Sequence, residues 1–333
     1  MTGYNDSITP RSFITALFAG AIAALTLTAV AGPARADDGD KPAADVWQVV
    51  GDQRLAQPAM NGQYVCYHLG RTGRYVYNLA KRQQKVRMDH YRTVPYDLND
   101  DYVFAPDGRE QVGWVCHLES GKVQRRRIRR FDSVRQVALG EGWFVAVANV
   151  YDRDRDRTEA RVQAYHLNGR QRTRPLSTDL GKRRIDAAGR VAVWMDHRID
   201  APGIYIYRWA DRDARRLIEA DNASDPQTDG EHVVWVEDGR VKVHRLEDGQ
   251  TFEPLLGMDH SKAVDARIAG PWLVWADPER RVFAMHRPTE TVMELTRPGE
   301  HRGMNVLIDA SEQFAVWQNG SELWAAAFPE IQP

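Results

Sequence analysis

Four places in the sequence carry a carboxylate residue directly followed by a histidine. The four pairs are Asp89-His90, Asp196-His197, Asp259-His260 and Glu300-His301. Histidine is the commonest protein ligand of transition metals, and a neighbouring carboxylate can orient its ring. The pairs therefore indicate a set of ligand-face candidates that could contact a substrate or hold a divalent metal. The alternative is that they are solvated loop residues, because none has a second histidine at short metal-ligand spacing.

A basic run indicates a different chemistry, the binding of anions. The run consists of Arg125, Arg126, Arg127, Arg129 and Arg130. Guanidinium groups form charge-assisted hydrogen bonds with phosphates and carboxylates, so the run could bind acidic polysaccharide, lipid head groups or an acidic partner. The alternative is an arginine-rich outermost strand whose charges prevent edge-to-edge pairing with another sheet.

The chain has two cysteines, Cys66 and Cys116, which fall in neighbouring repeats. A disulfide joining the two repeats is compatible with an oxidising compartment. Two buried free thiols acting as small apolar side chains are the other interpretation. The sequence leaves both open, because it does not give the distance between the two Cα atoms.

The sequence contains a repeated structural unit, and this unit determines where the candidate residues lie. Its most regular landmark is an apolar strand that ends in tryptophan, at Trp194, Trp235, Trp275 and Trp317. The landmark recurs roughly every 40 residues, and each interval also holds an alternating strand and turn residues, as a β-propeller blade requires. Because successive repeats pack side by side, we expect these tryptophans to form the core between blades.

Weaker copies of the unit extend the series to seven repeats, so the sequence predicts an all-β fold, a seven-bladed β-propeller with four-stranded antiparallel blades. The seventh repeat ends after its third strand at Phe328, and an extra strand, Val46–Val50, precedes the first repeat. We expect that strand to complete the last blade as its outermost member and to close the ring, which removes an exposed edge. An open β-solenoid would instead need capped ends.

The predicted fold places the acid-histidine pairs together. Three of them lie between the last strand of one repeat and the first strand of the next, whereas Asp196-His197 lies between a second and a third strand. Both classes of loop emerge on the same face of a propeller. We therefore predict that the four pairs share the face on which a ligand binds.

The N-terminal stretch is typical of a secretory signal peptide. Arg11 precedes an apolar run over residues 13–30, and Ala34-Arg35-Ala36 supplies the small residues of a cleavage site. A membrane anchor is the alternative, because the uncut run is just long enough to span a bilayer. We expect cleavage after Ala36, a mature chain without a membrane span, and a periplasmic or secreted location.

The remaining chain divides into a flexible lead-in over residues 37–44 and the propeller over residues 45–333. The formal net charge of -1 gives no reason to expect a nucleic-acid partner. We expect a monomer that binds an envelope protein or a polysaccharide.

The blade pattern resembles that of the TolB-like bacterial β-propellers, most clearly in VAVWMDHRIDAPGIYIYRW from Val191. The resemblance extends over nearly the whole mature chain and implies a propeller and an envelope location. The usual Ser-Pro-Asp-Gly turn of that family before the second strand is absent. Its near copy, Ala105-Pro106-Asp107-Gly108, follows that strand instead.

Two functions are compatible with these features. The first is an exported, non-catalytic binding scaffold of the bacterial cell envelope, for which we predict no cofactor. The alternative is a metal-dependent polysaccharide (uronate) lyase or hydrolase that uses the acid-histidine loops. The architecture, though no motif, resembles propeller-fold uronate lyases, which bind a metal through histidines in such loops. The resemblance implies a metal that acidifies the proton beside a carboxylate and a base that removes it.

Overall fold

The computed structural model describes residues 44–51, 55–69, 73–88, 96–99, 101–107, 112–127, 133–152, 156–167, 176–178, 185–196, 201–220, 222–224, 226–256, 262–296 and 306–331. These residues form seven four-stranded antiparallel sheets arranged as a seven-bladed β-propeller, and none of them is helical. The predicted fold class is therefore confirmed. In the same residues no helix has the length and apolar character needed to cross a membrane.

Within each blade the strands run in chain order from the innermost to the outermost, except that the last blade ends with the first strand of the chain. Blade 1 comprises β2 (Leu55–Asn61), β3 (Tyr64–Leu69), β4 (Gly73–Asn78) and β5 (Gln83–Met88). Blade 2 comprises β6 (Asp97–Leu98), β7 (Tyr102–Asp107), β8 (Val112–His117) and β9 (Val123–Arg127). Blade 3 comprises β10 (Ser133–Leu139), β11 (Trp143–Asp152), β12 (Arg157–His166) and β13 (Ser177–Thr178).

The other four blades repeat this arrangement. Blade 4 comprises β14 (Ile185–Ala188), β15 (Val191–Asp196), β16 (Gly203–Arg208) and β17 (Asp213–Ile218). Blade 5 comprises β18 (Gln227–Thr228), β19 (His232–Glu237), β20 (Arg240–Arg245) and β21 (Thr251–Phe252). Blade 6 comprises β22 (Asp265–Ala269), β23 (Trp272–Ala276), β24 (Val282–His286) and β25 (Thr291–Glu294). Blade 7 comprises β26 (Val306–Ala310), β27 (Phe314–Asn319), β28 (Glu322–Ala327) and β1 (Asp45–Val50).

The second strand of each blade is apolar because blades cover both of its faces. In β15 all six residues are buried, and β23 is equally enclosed. The landmark tryptophans lie in the clusters between blades, as the sequence predicted. Trp194 packs in one cluster with Trp143 of blade 3, and Trp235 packs with residues of blade 4. Burying large aromatic side chains between neighbouring blades supplies much of the hydrophobic stabilisation of such a ring.

The turn between the first and second strands of blade 4 contains a left-handed glycine. Gly189 adopts a φ of 52° in blade 4, a conformation that costs glycine little. Its carbonyl oxygen accepts hydrogen bonds from the backbone N–H of Glu141 and the indole N–H of Trp143, both in blade 3. The turn therefore also joins two neighbouring blades.

The two ends of the chain meet in blade 7, as predicted. Strand β1 pairs antiparallel with β28, with Trp47 opposite Ala325. Trp47 contacts Phe314 edge-on with ring centroids 6.2 Å apart, and it belongs to a cluster that includes Tyr67 of blade 1. The N-terminal strand thus completes one blade and packs against the next, which closes the ring.

Both cysteines are buried free thiols in the cluster between blades 1 and 2. Burial in apolar surroundings raises the pKa of the Cys66 thiol to about 12. The pKa of Cys116 is also raised by burial. Both groups are therefore protonated at neutral pH and pack as small apolar side chains, the second of the two interpretations of the sequence.

We predict that Trp47→Ala lowers the free energy of unfolding by about 3–5 kcal/mol, because it removes a buried aromatic side chain at the ring closure. Urea denaturation of the mature chain would measure this loss. Gln48→Ala is the matched control, since Gln48 lies on the same strand and is exposed. Equal midpoints for the two variants would contradict the assignment of β1 as the closing strand.

Candidate functional site

The structure describes one member of the acid-histidine set. His90, His197, His260, His301, Asp89, Asp259 and Glu300 lie outside the described residues. Asp196 is the last residue of β15, pairs with Gly203 and is fully buried. The sequence placed Asp196 in an exposed loop, and that placement is corrected, because the wholly enclosed second strand extends one residue further than its apolar run suggests.

The arginine run begins on the outermost strand of blade 2, as expected from the sequence. Arg125 is exposed on β9, with its guanidinium carbon 5.7 Å from the centroid of the Trp114 ring. Arg126 and Arg127 continue the backbone of that strand, and Arg129 and Arg130 lie outside the described residues. The contact between the Arg125 guanidinium and an aromatic ring is compatible with both interpretations of the run, an arginine-rich edge strand and an anion-binding site.

The described residues enclose a cavity of about 820 Å³ in the centre of the ring. Its walls are the innermost strands of the blades, and its rim includes the turns that join first and second strands. These turns, at residues 61–63, 188–189, 269–270 and 310–313 among others, define the turn face of the propeller. The cavity therefore reaches the turn face, whereas the sequence predicts the acid-histidine pairs on the other face of the propeller.

The cavity wall carries a polar residue at the same register position in five blades. In four of these blades the polar residue pairs with the second-strand residue that directly precedes the landmark tryptophan. In blade 2 it pairs with Phe104. The five residues are Asp97, Asp186, Gln227, Arg267 and Asp309. Sequence reasoning missed them, although each stands at a constant offset before its second-strand partner and an alignment of repeats would have aligned them.

Three of these side chains bind the backbone of the following blade. Asp97 Oδ2 accepts a hydrogen bond of 2.6 Å from the N–H of Leu139, joining blades 2 and 3. Asp186 Oδ2 accepts one of 2.7 Å from the N–H of Thr228, joining blades 4 and 5.

The third such bond lies at the junction of the last and first blades. Asp309 Oδ2 accepts a hydrogen bond of 2.7 Å from the N–H of Met60. Gln136 in β10 acts in the same way between blades 3 and 4, where its Oε1 accepts from the N–H of Ile185 at 3.2 Å. Innermost strands have no further strand to pair with, so these side chains satisfy N–H groups that would otherwise face the channel.

Arg267 supplies the positive charge of the cavity wall. Its Nη1 atom is 2.6 Å from Asp265 Oδ1 and donates to the carbonyl of Ala266 at 2.9 Å. Its Nε atom is 3.9 Å from Asp309 Oδ1. These neighbouring carboxylates raise the pKa of the Arg267 guanidinium despite its burial, so it stays charged.

The carboxyl groups of the channel disfavour one another's ionisation. Burial, followed by repulsion from Asp186, raises the pKa of Asp97 well above its ordinary range. Burial raises the pKa of Asp309 to about 7, with a contribution from Asp186 that opposes the influence of Arg267. The pKa of Asp186 is likewise raised, chiefly by burial. The channel therefore collects carboxyl groups whose charged forms repel one another and are only partly compensated by Arg267.

Gln227 differs from the other four residues of the register. It is 7% exposed and its side chain lines the cavity. Its amide has no hydrogen-bond partner among the described residues. Because the residue lines the cavity, this amide is available to a ligand or to water.

No group of three or more His, Cys, Asp or Glu side chains that could hold a metal ion is formed by the part of the chain that the structure describes. The channel carboxyls bind backbone N–H groups of separate blades instead of converging on one point. The arrangement can accept hydrogen bonds from a ligand that spans several blades.

No known protein family and no curated protein matches the chain. The fold is similar to that of an oligogalacturonate lyase in complex with manganese, at 11% identity, with a TM-score of 0.61 over 87% of this chain and 94% of that one. An oligogalacturonate lyase from Vibrio parahaemolyticus gives 11% identity and a TM-score of 0.57 over 86% and 94% of the two chains.

The third comparison is with a protein of another class. The WD40 domain of Pan2 from Neurospora crassa gives 10% identity and a TM-score of 0.58, over 84% of this chain and 90% of that one. At such identities the similarities show the propeller fold alone. The same fold thus carries a lyase in one neighbour and a WD40 domain in another, so function has to be argued from the site.

The raised pKa of Asp309 predicts a pH-dependent stability. Between about pH 4 and pH 7 the folded protein keeps a proton that the unfolded chain has released, so stability falls as the pH rises through this window. The loss from Asp309 is on the order of 4 kcal/mol at most. Asp309→Asn keeps an oxygen for the N–H of Met60 but does not ionise, so we expect a shallower decline and a more stable protein at pH 8.

Urea denaturation across this pH range would measure the difference. Asp213→Asn, on the outermost strand of blade 4 and exposed, is the control for loss of one carboxylate. If the Asp309→Asn profile kept the full slope of the unsubstituted protein, Asp309 would not contribute to the pH dependence.

Proposed function

We propose that the protein is an exported, TolB-like, non-catalytic β-propeller of the bacterial cell envelope that binds its ligand in the central channel. The observation that carries this proposal is the cavity of about 820 Å³ with one polar side chain from each of five blades at a common register. The N-terminal stretch, typical of a signal peptide, supports the periplasmic or secreted location.

The dimensions and the construction of the cavity support a binding role. Its volume lies in the range of small-molecule sites, which use a few well-placed polar groups to orient a ligand. Here those groups stand on β-strands, and three of them are fixed by hydrogen bonds to the next blade. Groups that are already ordered lose little conformational entropy on binding, which favours affinity and specificity.

Filling the channel tests the proposal. Ala188 lies two residues after Asp186 on β14, so the two side chains share a strand face, and Ala188 lines the cavity. We expect small molecules extracted from the envelope to raise the melting temperature of the mature protein, residues 37–333, by a few degrees. Ala188→Trp should abolish that shift because its side chain occupies the site.

Arg215→Trp is the matched control, since it places the same side chain on the exposed outermost strand of the same blade. A thermal shift that persists in Ala188→Trp would place the ligand elsewhere and overturn the proposal. Loss of the shift in both variants would also count against a channel site.

A metal-dependent uronate lyase is the second candidate, and the two oligogalacturonate lyases among the structural neighbours favour it. The described residues do not themselves assemble a metal site, because Asp196 is buried in β15 and no other group of ligating residues forms among them. The candidate therefore depends on the histidines at positions 90, 197, 260 and 301.

Metal content and lyase activity separate the two candidates. A lyase would hold near-stoichiometric metal when purified without chelators and would release unsaturated products, followed by ultraviolet absorbance, from oligogalacturonate. The substitutions His90→Ala, His197→Ala, His260→Ala and His301→Ala would each lower both signals. For the binding propeller we expect neither metal nor product, and detection of both would reverse the order of the two candidates.

A further inference from the structure

The charge of the channel restricts the class of ligand that it can bind. The cavity is lined by five carboxyl groups, those of Asp97, Asp186, Asp229, Asp309 and Glu312. The same lining contributes one guanidinium, that of Arg267, which is already paired with Asp265. The ionised carboxyls would repel an anionic ligand, whereas a cation would favour their ionised forms and offset the repulsion between them.

A second, independent observation concerns a polar side chain in the cavity wall. Gln227 is 7% exposed and lines the cavity, and its amide forms no hydrogen bond with the described residues, so both amide atoms remain open to a ligand. Gln227 shares its register with Asp186 on the preceding blade and with Arg267 on the following one. A ligand that donates to its Oε1 atom while contacting the nearby carboxylates would satisfy both requirements.

The spacing of the carboxyls argues against a bare metal ion. A metal needs several ligand oxygens within about 2.0–2.6 Å of one point. Among the described residues no three His, Cys, Asp or Glu side chains approach closely enough for this. The cavity of about 820 Å³ instead has room for an extended organic molecule with more than one charged group.

We propose that the central channel binds a linear organic polyamine whose ammonium groups contact Asp186, Asp309 and the amide oxygen of Gln227. This inference rests on the proposed function, since it names the ligand class of the same channel. Each terminal ammonium has three N–H donors and each internal ammonium has two, and none has an acceptor, which suits a wall made of carboxylate and amide oxygens. Several amines on one chain reach carboxyls that belong to different blades.

The ionisation of the channel makes the proposed affinity dependent on pH. Asp309, which lies near Arg267 and Asp186, titrates with a pKa of about 7, and an ammonium ligand interacts more strongly with its charged form. The ligand stays protonated at neutral pH because amines of this kind have pKa values near that of lysine. Affinity should therefore increase from pH 6 to pH 8.

Isothermal titration calorimetry with spermidine tests the proposal on the mature protein, residues 37–333. We expect saturable binding that weakens at pH 6. Asp186→Asn and Asp309→Asn each keep an oxygen for the next blade's N–H but remove a charge, so each should weaken binding about tenfold or more. Asp213→Asn, on the exposed outer strand of blade 4, should leave it unchanged.

Gln227→Leu provides a variant that is safe for folding, because its amide has no partner to lose among the described residues. We expect its melting temperature to be maintained and its spermidine affinity to fall about tenfold. Titrations with Mg²⁺ and Ca²⁺ are the comparison, and each should bind far more weakly than spermidine.

Several outcomes would overturn the polyamine inference. They are the absence of binding at millimolar spermidine, affinity that is unchanged in Asp186→Asn and Gln227→Leu, and competition by Mg²⁺ at equal or lower concentration. If spermidine fails while an envelope extract still stabilises the protein and Ala188→Trp abolishes that effect, the ligand class is wrong and the binding function stands. If neither stabilises the protein, both are wrong.

Discussion

The central channel depends on the hydrogen bond between an inner-strand side chain and the backbone N–H of the next blade. A propeller blade contacts only its two neighbours. Its innermost strand has no further strand to pair with, so the N–H groups on its channel side need other acceptors. Asp97, Asp186 and Asp309 fill this role at three junctions, and Gln136 does so at a fourth. The same bonds keep the wall of the cavity ordered, so ring assembly and the geometry of the site rest on one kind of contact.

This arrangement has an electrostatic cost. Carboxylates accept N–H hydrogen bonds well, but burying several of them around one cavity raises their pKa values, and a single guanidinium compensates only part of the charge. An uncharged acceptor works at one junction, as Gln136 shows. Carboxylates at the other three therefore exceed the structural requirement, and the cationic ligand that we propose for the channel would account for the excess. Local destabilisation retained at a site of function is common in proteins.

The fold by itself does not choose among functions. The neighbours with similar architecture include oligogalacturonate lyases and a WD40 domain, all at 10–11% identity. What distinguishes one propeller from another is the set of side chains on its two faces and in its channel. In this protein five of the described blades each place one polar side chain on the channel wall, whereas the acid-histidine pairs are predicted from the sequence to lie on the face away from the turns.

The sequence by itself determined the blade count, the strand order and the closure of the ring. The repeat length and the apolar runs indicate which strands are enclosed on both faces. The landmark residue Trp194 and the extra N-terminal strand around Trp47 can therefore be recognised from the sequence. Only the tertiary structure decided which residues face the channel. Asp186, Gln227 and Asp309 lie far apart in sequence, and their proximity follows from wrapping seven blades around one axis. The tertiary structure also decided that Asp196 is buried. An enclosed strand can end in a polar residue, and from the sequence alone such a residue is easily assigned to the following loop.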